Sequence, residues 1–342
     1  MIKTKNNQSR IIAEITGLIF FALLGLAIYF GIPWFIKVPS ISAPEKDIYP
    51  AAGSYRTIDG LPAPAGGENS PVYAVIVENN VDARPLSGLA RASLVYEAPV
   101  EGGITRFLAI FSADEKVPEI GPVRSARPYF IDFGEEFGGI FAHVGGSDAA
   151  LDQLGAEKKN LVDLNQYFKS EYFWRDEKRY APHNVYTSSE LLAAANKKLG
   201  VPPPAYDGWL FKADLPLDRR PEKNEIAVDS PMSAYRIEWI YDRAHNNYLR
   251  YEGGKIQKDK NGPVVRAKNV IILKTEIEII DAITRRAIRT AGEGEATVFR
   301  DGEAISARWK KEGMTSRLKF YDSNGDEILF NTGPTWIEIV SN

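Results

Sequence analysis

From Ile15 to Ile36 the chain runs for 22 residues without a charged side chain (ITGLIFFALLGLAIYFGIPWFI). At 1.5 Å of rise per residue, a helix of that length spans a hydrocarbon core of about 30 Å. Tyr29 and Trp34 stand toward its far end, where amphipathic rings favour the membrane interface. A secretory signal peptide would carry a shorter apolar stretch, about 7–15 residues. Ser40–Ala43 offers only a mediocre small-residue cleavage site. The run therefore reads as an uncleaved, single-pass signal anchor. Residues 1–14 form its basic flank, with Lys3, Lys5 and Arg10 against Glu14. That bias predicts a cytoplasmic N-terminus and an extracytoplasmic remainder at the cell membrane.

The chain beyond this run divides by composition. Residues 37–71 hold Pro39, Pro44, Pro50, Pro62, Pro64, Pro71 and Gly66-Gly67, with little apolar periodicity. Such a segment buries too little surface to offset its ordering entropy, so it reads as a tether. The chain as a whole is 44% hydrophobic and 25% charged, the proportions of a globular protein. Its net charge of −3 argues against a nucleic-acid binder. It has no cysteine, which excludes disulfides, thiolate metal sites and lipid-modified thiols. With only His143, His183 and His245 as imidazoles, no metal site and no cofactor are expected.

An α+β fold is predicted: an N-terminal mixed α/β-sheet domain over 72–200, followed by a smaller mainly-β domain over 225–342. In the first, Val72–Glu78, Ala92–Pro99, Ile104–Ser112 and Ile140–Val144 read as strands by their β-branched content. Ser125–Phe137 and Asp148–Leu154 read as helices, and Thr187-Ser188-Ser189-Glu190 as a capping box opening a helix that ends at Gly200. Val201-Pro202-Pro203-Pro204 then begins a connector over 201–224. In the second domain, strand-like runs are punctuated by Asn261-Gly262, Asp301-Gly302 and Asn324-Gly325, which read as hairpin turns.

Two features suggest chemistry. Gly145-Gly146-Ser147-Asp148-Ala149 lies at a strand-to-helix junction but lacks the last glycine of a nucleophile elbow, so Ser147 reads first as a helix cap. The second is a set of charged residues in apolar or glycine-rich surroundings: Arg84, Glu97, Glu101, Arg106, Arg124, Arg127, His143 and His183. Arginines near strand ends bind carboxylates or phosphates with a fixed fork geometry. Equally, Glu97 and Glu101 could pair with those arginines and simply hold the fold together.

The blocks ARPLSGLARASLVYEAPVEGGITRFLAIF, IGPVRSARPYFID, HVGGSDAAL and WRDEKRYAPHNVYTS, with AKNVIIL, GEGEATVFRDG, ARWKK and TGPTWIEIV later, span residues 55–341 in order. This pattern resembles the YerB-like family of bacterial lipoproteins. The resemblance implies an extracytoplasmic α+β domain followed by a β-rich one, and carries no catalytic residues over. Lipoproteins need an anchoring cysteine, which this chain lacks; the apolar run stands in its place.

Two functions compete. The first is a non-enzymatic envelope module that binds an anionic ligand or a cell-wall-associated partner through the arginine set, assisted by free backbone N–H groups at Gly102-Gly103 and Gly145-Gly146. The alternative is an envelope glycan or peptide hydrolase, using Ser147 with a histidine or the Glu97/Glu101 pair.

Overall fold

All seven residues of Val72–Glu78 (β1) are buried. A strand reaches that state when both faces of its sheet are covered. Val72, Ala74 and Ile76 join one buried apolar cluster, while Tyr73, Val75 and Val77 join another, the alternation a pleated strand imposes. The computed structural model describes residues 54–342, except Pro64, Glu157, Lys158 and Asn261. The uncharged run, its basic flank and the tether up to residue 53 lie outside the described residues. Among the described residues, no helix is long and apolar enough to cross a membrane.

Further strands come in chain order: β2 (Leu94–Pro99), β3 (Thr105–Ser112), β4 (Gly139–His143), β5 (Leu161–Asn165), β6 (Glu225–Val228), β7 (Ile237–Asp242), β8 (Asn247–Glu252), β9 (Asn269–Thr275), β10 (Gly292–Arg300), β11 (Glu303–Lys311), β12 (Lys319–Tyr321) and β13 (Thr335–Ser341). Ten of these strands make one sheet, in the order β12-β11-β10-β9-β13-β2-β3-β1-β4-β5. The three α-helices among the described residues are α1 (Pro128–Gly134), α2 (Asp148–Gly155) and α3 (Ser189–Leu199). Tyr129, Phe130, Ile131 and Phe133 of α1, with Ala150 and Leu154 of α2, pack into the first cluster. Leu192 and Ala195 of α3 pack into the second, beside Ile226, Trp239 and Tyr248 of a small sheet built on β6, β7 and β8. The expected mixed α+β class is therefore observed, with all three α-helices of the described residues lying before residue 200.

The last strand is the seam between the halves. β13 runs parallel to β9 on one side and to β2 on the other, with Trp336 opposite both Val270 and Val95. The Trp336 ring meets Phe107 edge-on at 5.4 Å and Trp239 at 5.3 Å.

Local signals in the sequence are honoured where they are strong. The Ser147 side chain accepts a hydrogen bond from the Ala150 N–H and caps its helix; at α3 the cap falls one residue later than the Thr187–Glu190 box implies, on Ser188, which accepts from the Leu191 N–H, while the Thr187 hydroxyl donates to the Tyr172 carbonyl. Gly200 closes α3 in the left-handed region, where a Cβ would be costly. Asp301-Gly302 joins β10 to β11 with φ of 52° and 79°, the geometry of a tight hairpin. Three further readings change. The helix expected over Ser125–Phe137 starts only at Pro128, because the preceding residues extend and Ala126 bridges Gly146. Residues 54–71 fold back onto the body: Ile58 is buried, and Arg56 is held by Asp59 at 2.6 Å. The proline-rich connector is docked as well, since Trp209 is buried and its Nε1–H donates to the Leu318 carbonyl at 2.7 Å.

Candidate functional site: an arginine cluster at the carboxyl edge of the sheet

β1, β2, β4, β5, β9 and β13 point the same way, and β3 runs against them. Their carboxyl ends thus share one edge with the start of β3. Ligands of open α/β sheets bind at such an edge. Glu78, Glu97, Glu101, Arg106 and His143 all fall there, but the pleat separates them. Arg106 lies opposite Ala98 and Glu78, whereas Glu97 lies opposite Phe107 and Glu338. Neighbouring strand positions face opposite sides of a sheet, so the residues read as one group form two.

The first group sits on the α1 side. Arg106 is only 5% exposed, and its Nη1 donates to the Ser125 carbonyl at 2.7 Å. It makes no ion pair among the described residues. Burial, then the charges of Arg127 and Arg124, push its pKa down to about 10. Arg127 forks onto Glu101, Nε and Nη2 each 2.6 Å from a carboxylate oxygen. Burial alone would raise the Glu101 carboxyl, but the Arg127 hydrogen bonds and charge hold it below its ordinary value. Arg124 pairs with Glu78 at 2.9 Å, and His183 Nδ1 meets the other Glu78 oxygen at 2.9 Å. Three guanidinium groups therefore share two carboxylates, and Arg106 is the one left over. The glycine turns contribute less than expected. The Gly102 N–H donates to Thr284 Oγ1 and the Gly145 N–H to Asn165 Oδ1.

The second group is architecture. Arg250 is fully buried, with Nη2 at 2.6 Å from Glu97 Oε2 and Nη1 at 3.4 Å from Glu252. Its guanidinium lies over the Trp336 ring at 4.9 Å. The Thr105 hydroxyl and Trp336 Nε1–H also donate to Glu97. Arg84 reaches the other Glu252 oxygen at 2.8 Å and the Ala234 carbonyl, with its charge over Tyr235. Arg84 and Glu97 thus bolt the N-terminal half to the C-terminal half.

Glu338 completes this group. Burial, then the charge of Glu97, drive its carboxyl well above the ordinary range, and Trp239 Nε1–H donates to it at 2.9 Å. Between the ordinary and the raised value, the folded chain keeps this proton and the unfolded chain loses it. Stability contributed by Glu338 therefore falls as pH rises through that window. Glu338→Gln retains a donor for Glu97 and an acceptor for Trp239 without an ionisable group. Thermal unfolding should show the variant more stable than the parent at about pH 8 and indistinguishable from it near pH 4. An equal shift at both pH values would rule out ionisation as the cause.

The hydrolase arrangements built on His143 or on the Glu97/Glu101 pair do not assemble. His143 is fully buried, with Nδ1 2.6 Å from the Gly145 carbonyl and Nε2 2.7 Å from Asp163 Oδ1, so neither nitrogen is open to a nucleophile. Ser147 is engaged as a cap. Glu97 is 1% exposed, out of reach of a glycan. Cavities of about 650 and 500 Å³ open elsewhere, one beside Tyr206 and Arg317, the other beside Arg84 and Glu252. Neither is lined by Arg106, Arg124 or Arg127.

Sequence reasoning missed Glu78, Arg250, Glu252 and Glu338. A signal for two of them existed. In NYLRYE the buried positions are Tyr248, Arg250 and Glu252, so strand alternation puts both charges on the core side with a tyrosine.

Comparison with known proteins agrees with this architecture. Residues 59–202 match a family described as "Protein of unknown function (DUF3048) N-terminal domain", and residues 226–337 its C-terminal domain. The chain is 35% identical over 319 residues to a Bacillus subtilis (strain 168) protein named "Putative lipoprotein YerB", covering 88% of this chain and 91% of that one. The crystal structure of the YerB protein from Bacillus subtilis superposes with a TM-score of 0.73 at 31% identity, covering 84% of this chain and 96% of the other. With both halves matched in order and the fold shared over most of its length, the chain belongs to the YerB-like family.

Proposed function

We propose that the protein is a membrane-associated module of the bacterial cell envelope that binds an anionic group, carboxylate or phosphate, on an envelope component or partner and performs no chemistry on it. Arg106 carries this reading. A cation buried without an acidic partner is costly, and such groups concentrate at sites whose ligand supplies the missing charge. Lowering its pKa from 12.5 to about 10 corresponds to a penalty on the order of 3 kcal/mol. Folded and unfolded chains are both charged below about pH 10, so the full penalty applies at neutral pH and lifts only as pH rises through that value. A bound anion removes it by pairing. The uncharged run at residues 15–36 and the lipoprotein name of the Bacillus relative support the membrane association.

The test is Arg106→Met, read by thermal unfolding with inorganic pyrophosphate and citrate as probes. Methionine removes the unpaired charge but leaves the Ser125 carbonyl without its donor, a loss of about 1–3 kcal/mol. The variant should therefore melt at or slightly above the parent temperature and no longer respond to either probe, while the parent is stabilised by both. A large loss of stability in Arg106→Met, or a parent indifferent to both probes, would overturn the reading.

A further inference from the structure

The cavity of about 500 Å³ opens where the two halves of the chain meet. Val81, Arg84 and Leu86 line it from the N-terminal half, and Glu252, Lys255, Ile256 and Lys258 from the C-terminal half. Its volume falls within the range of small-molecule sites, about 300–1,000 Å³, which favour such junctions. Hydrogen bonds across the junction fix its walls. The Val81 N–H donates to the Tyr235 hydroxyl at 3.2 Å, Arg84 Nη1 to the Ala234 carbonyl at 2.8 Å, and the Lys260 N–H to the Leu86 carbonyl at 2.7 Å. Among the described residues, Glu252 is the only acid in the lining. Its side chain is 3% exposed and already shared by Arg84 at 2.8 Å and Arg250 at 3.4 Å. With Glu338 protonated, Arg84 and Arg250 balance Glu97 and Glu252, so the charged network beneath the cavity is neutral. Lys255 and Lys258 then stand as surplus. Both are exposed, and neither makes an ion pair or a side-chain hydrogen bond among the described residues. The Arg84 Nε is also buried without a hydrogen-bond partner.

We propose that this cavity binds a small organic acid, its apolar body against Val81, Leu86 and Ile256 and its carboxylate between Lys255 and Lys258. The site is separate from the one at Arg106 and needs nothing from it. A ligand pocket with an apolar wall and a few convergent polar groups takes its orientation from those groups, and here the free ones are both cationic. A cationic ligand of the same shape would meet two unpaired ammonium groups, while the one carboxylate that could receive it is buried and taken by two arginines. A neutral ligand would gain the apolar contacts alone.

Two probes that share one apolar body and differ in charge make the test: 4-phenylbutyrate and 4-phenylbutylamine, each titrated calorimetrically into the full chain in detergent, with the detergent alone as blank. The parent should bind the acid saturably at one site and the amine not at all. Lys255→Gln and Lys258→Gln should each raise the Kd for the acid by about fivefold, the effect of one unit charge about 4 Å from another in water. Both variants should melt with the parent when no probe is present, because exposed side chains without partners contribute little to stability. Absence of saturable binding of the acid, equal binding of the amine, or a Kd that neither lysine substitution moves would overturn the proposal.

Discussion

Replacing Arg250 by methionine is expected to destabilise the folded chain by about 3–5 kcal/mol, the range for removing one partner of a buried ionic group. The side chain is fully buried, and Glu97, Glu252 and Glu338 all depend on its charge. Without it, the Glu97 carboxylate keeps hydrogen bonds from Thr105 and Trp336 but no buried cation. The loss should appear as a fall in Tm of roughly 10 °C and should shrink in acid, where the Glu252 carboxyl, raised by burial, joins Glu338 in holding a proton and less uncompensated charge remains. A variant melting within a degree or two of the parent would show that aromatic packing, not the ion group, holds the halves together. Arg250→Met and Arg106→Met thus make opposite predictions for two buried arginines. One faces three carboxylates, whereas the other makes no ion pair and feels the charges of Arg127 and Arg124.

Separating the halves should be more damaging still. Although two family domains meet between residues 202 and 226, the ten-stranded sheet does not stop there. A fragment of residues 225–342 would expose the full edge of β13, including Trp336, Ile337 and Glu338, which pair with β2. A fragment of residues 54–224 would expose the matching edge of β2 and strand Glu97 without Arg250. Unpaired edges of this length, with apolar side chains on both faces, promote aggregation. Neither fragment is expected to show a cooperative thermal transition alone, while co-expressed fragments should elute as a one-to-one complex in size-exclusion chromatography. A soluble, cooperatively melting 225–342 monomer would refute this.

Much of the local structure was legible in the residues. VYAVIVE is a strand because it is rich in β-branched residues and apolar up to its final glutamate. Ser188 and Gly200 bound α3 because a hydroxyl satisfies a free N–H and a glycine tolerates positive φ. Leu161–Asn165 was not legible: LVDLN is short and half polar, and becomes a strand because β4 offers it a parallel partner. The folding-back of residues 54–71 was hidden for a similar reason. Arg56 and Asp59 look like surface charges until each is seen to neutralise the other in a buried site.

The class of the fold, the order of its main elements, the family, and the density of arginines around the first three strands can all be read from the residues in order. Those depend on local propensity, capping and motif order, which involve residues a few positions apart. The partners of the arginines, by contrast, are set by how the strands pair. Strand pairing sends Glu97 to one face and Arg106 to the other. It brings Arg250 153 positions along the chain to Glu97, and it leaves Arg106 without an acid because the nearby carboxylates are already taken by Arg124 and Arg127. Charge balance at a buried site is a sum over everything within a few ångströms, and sequence distance does not encode that neighbourhood.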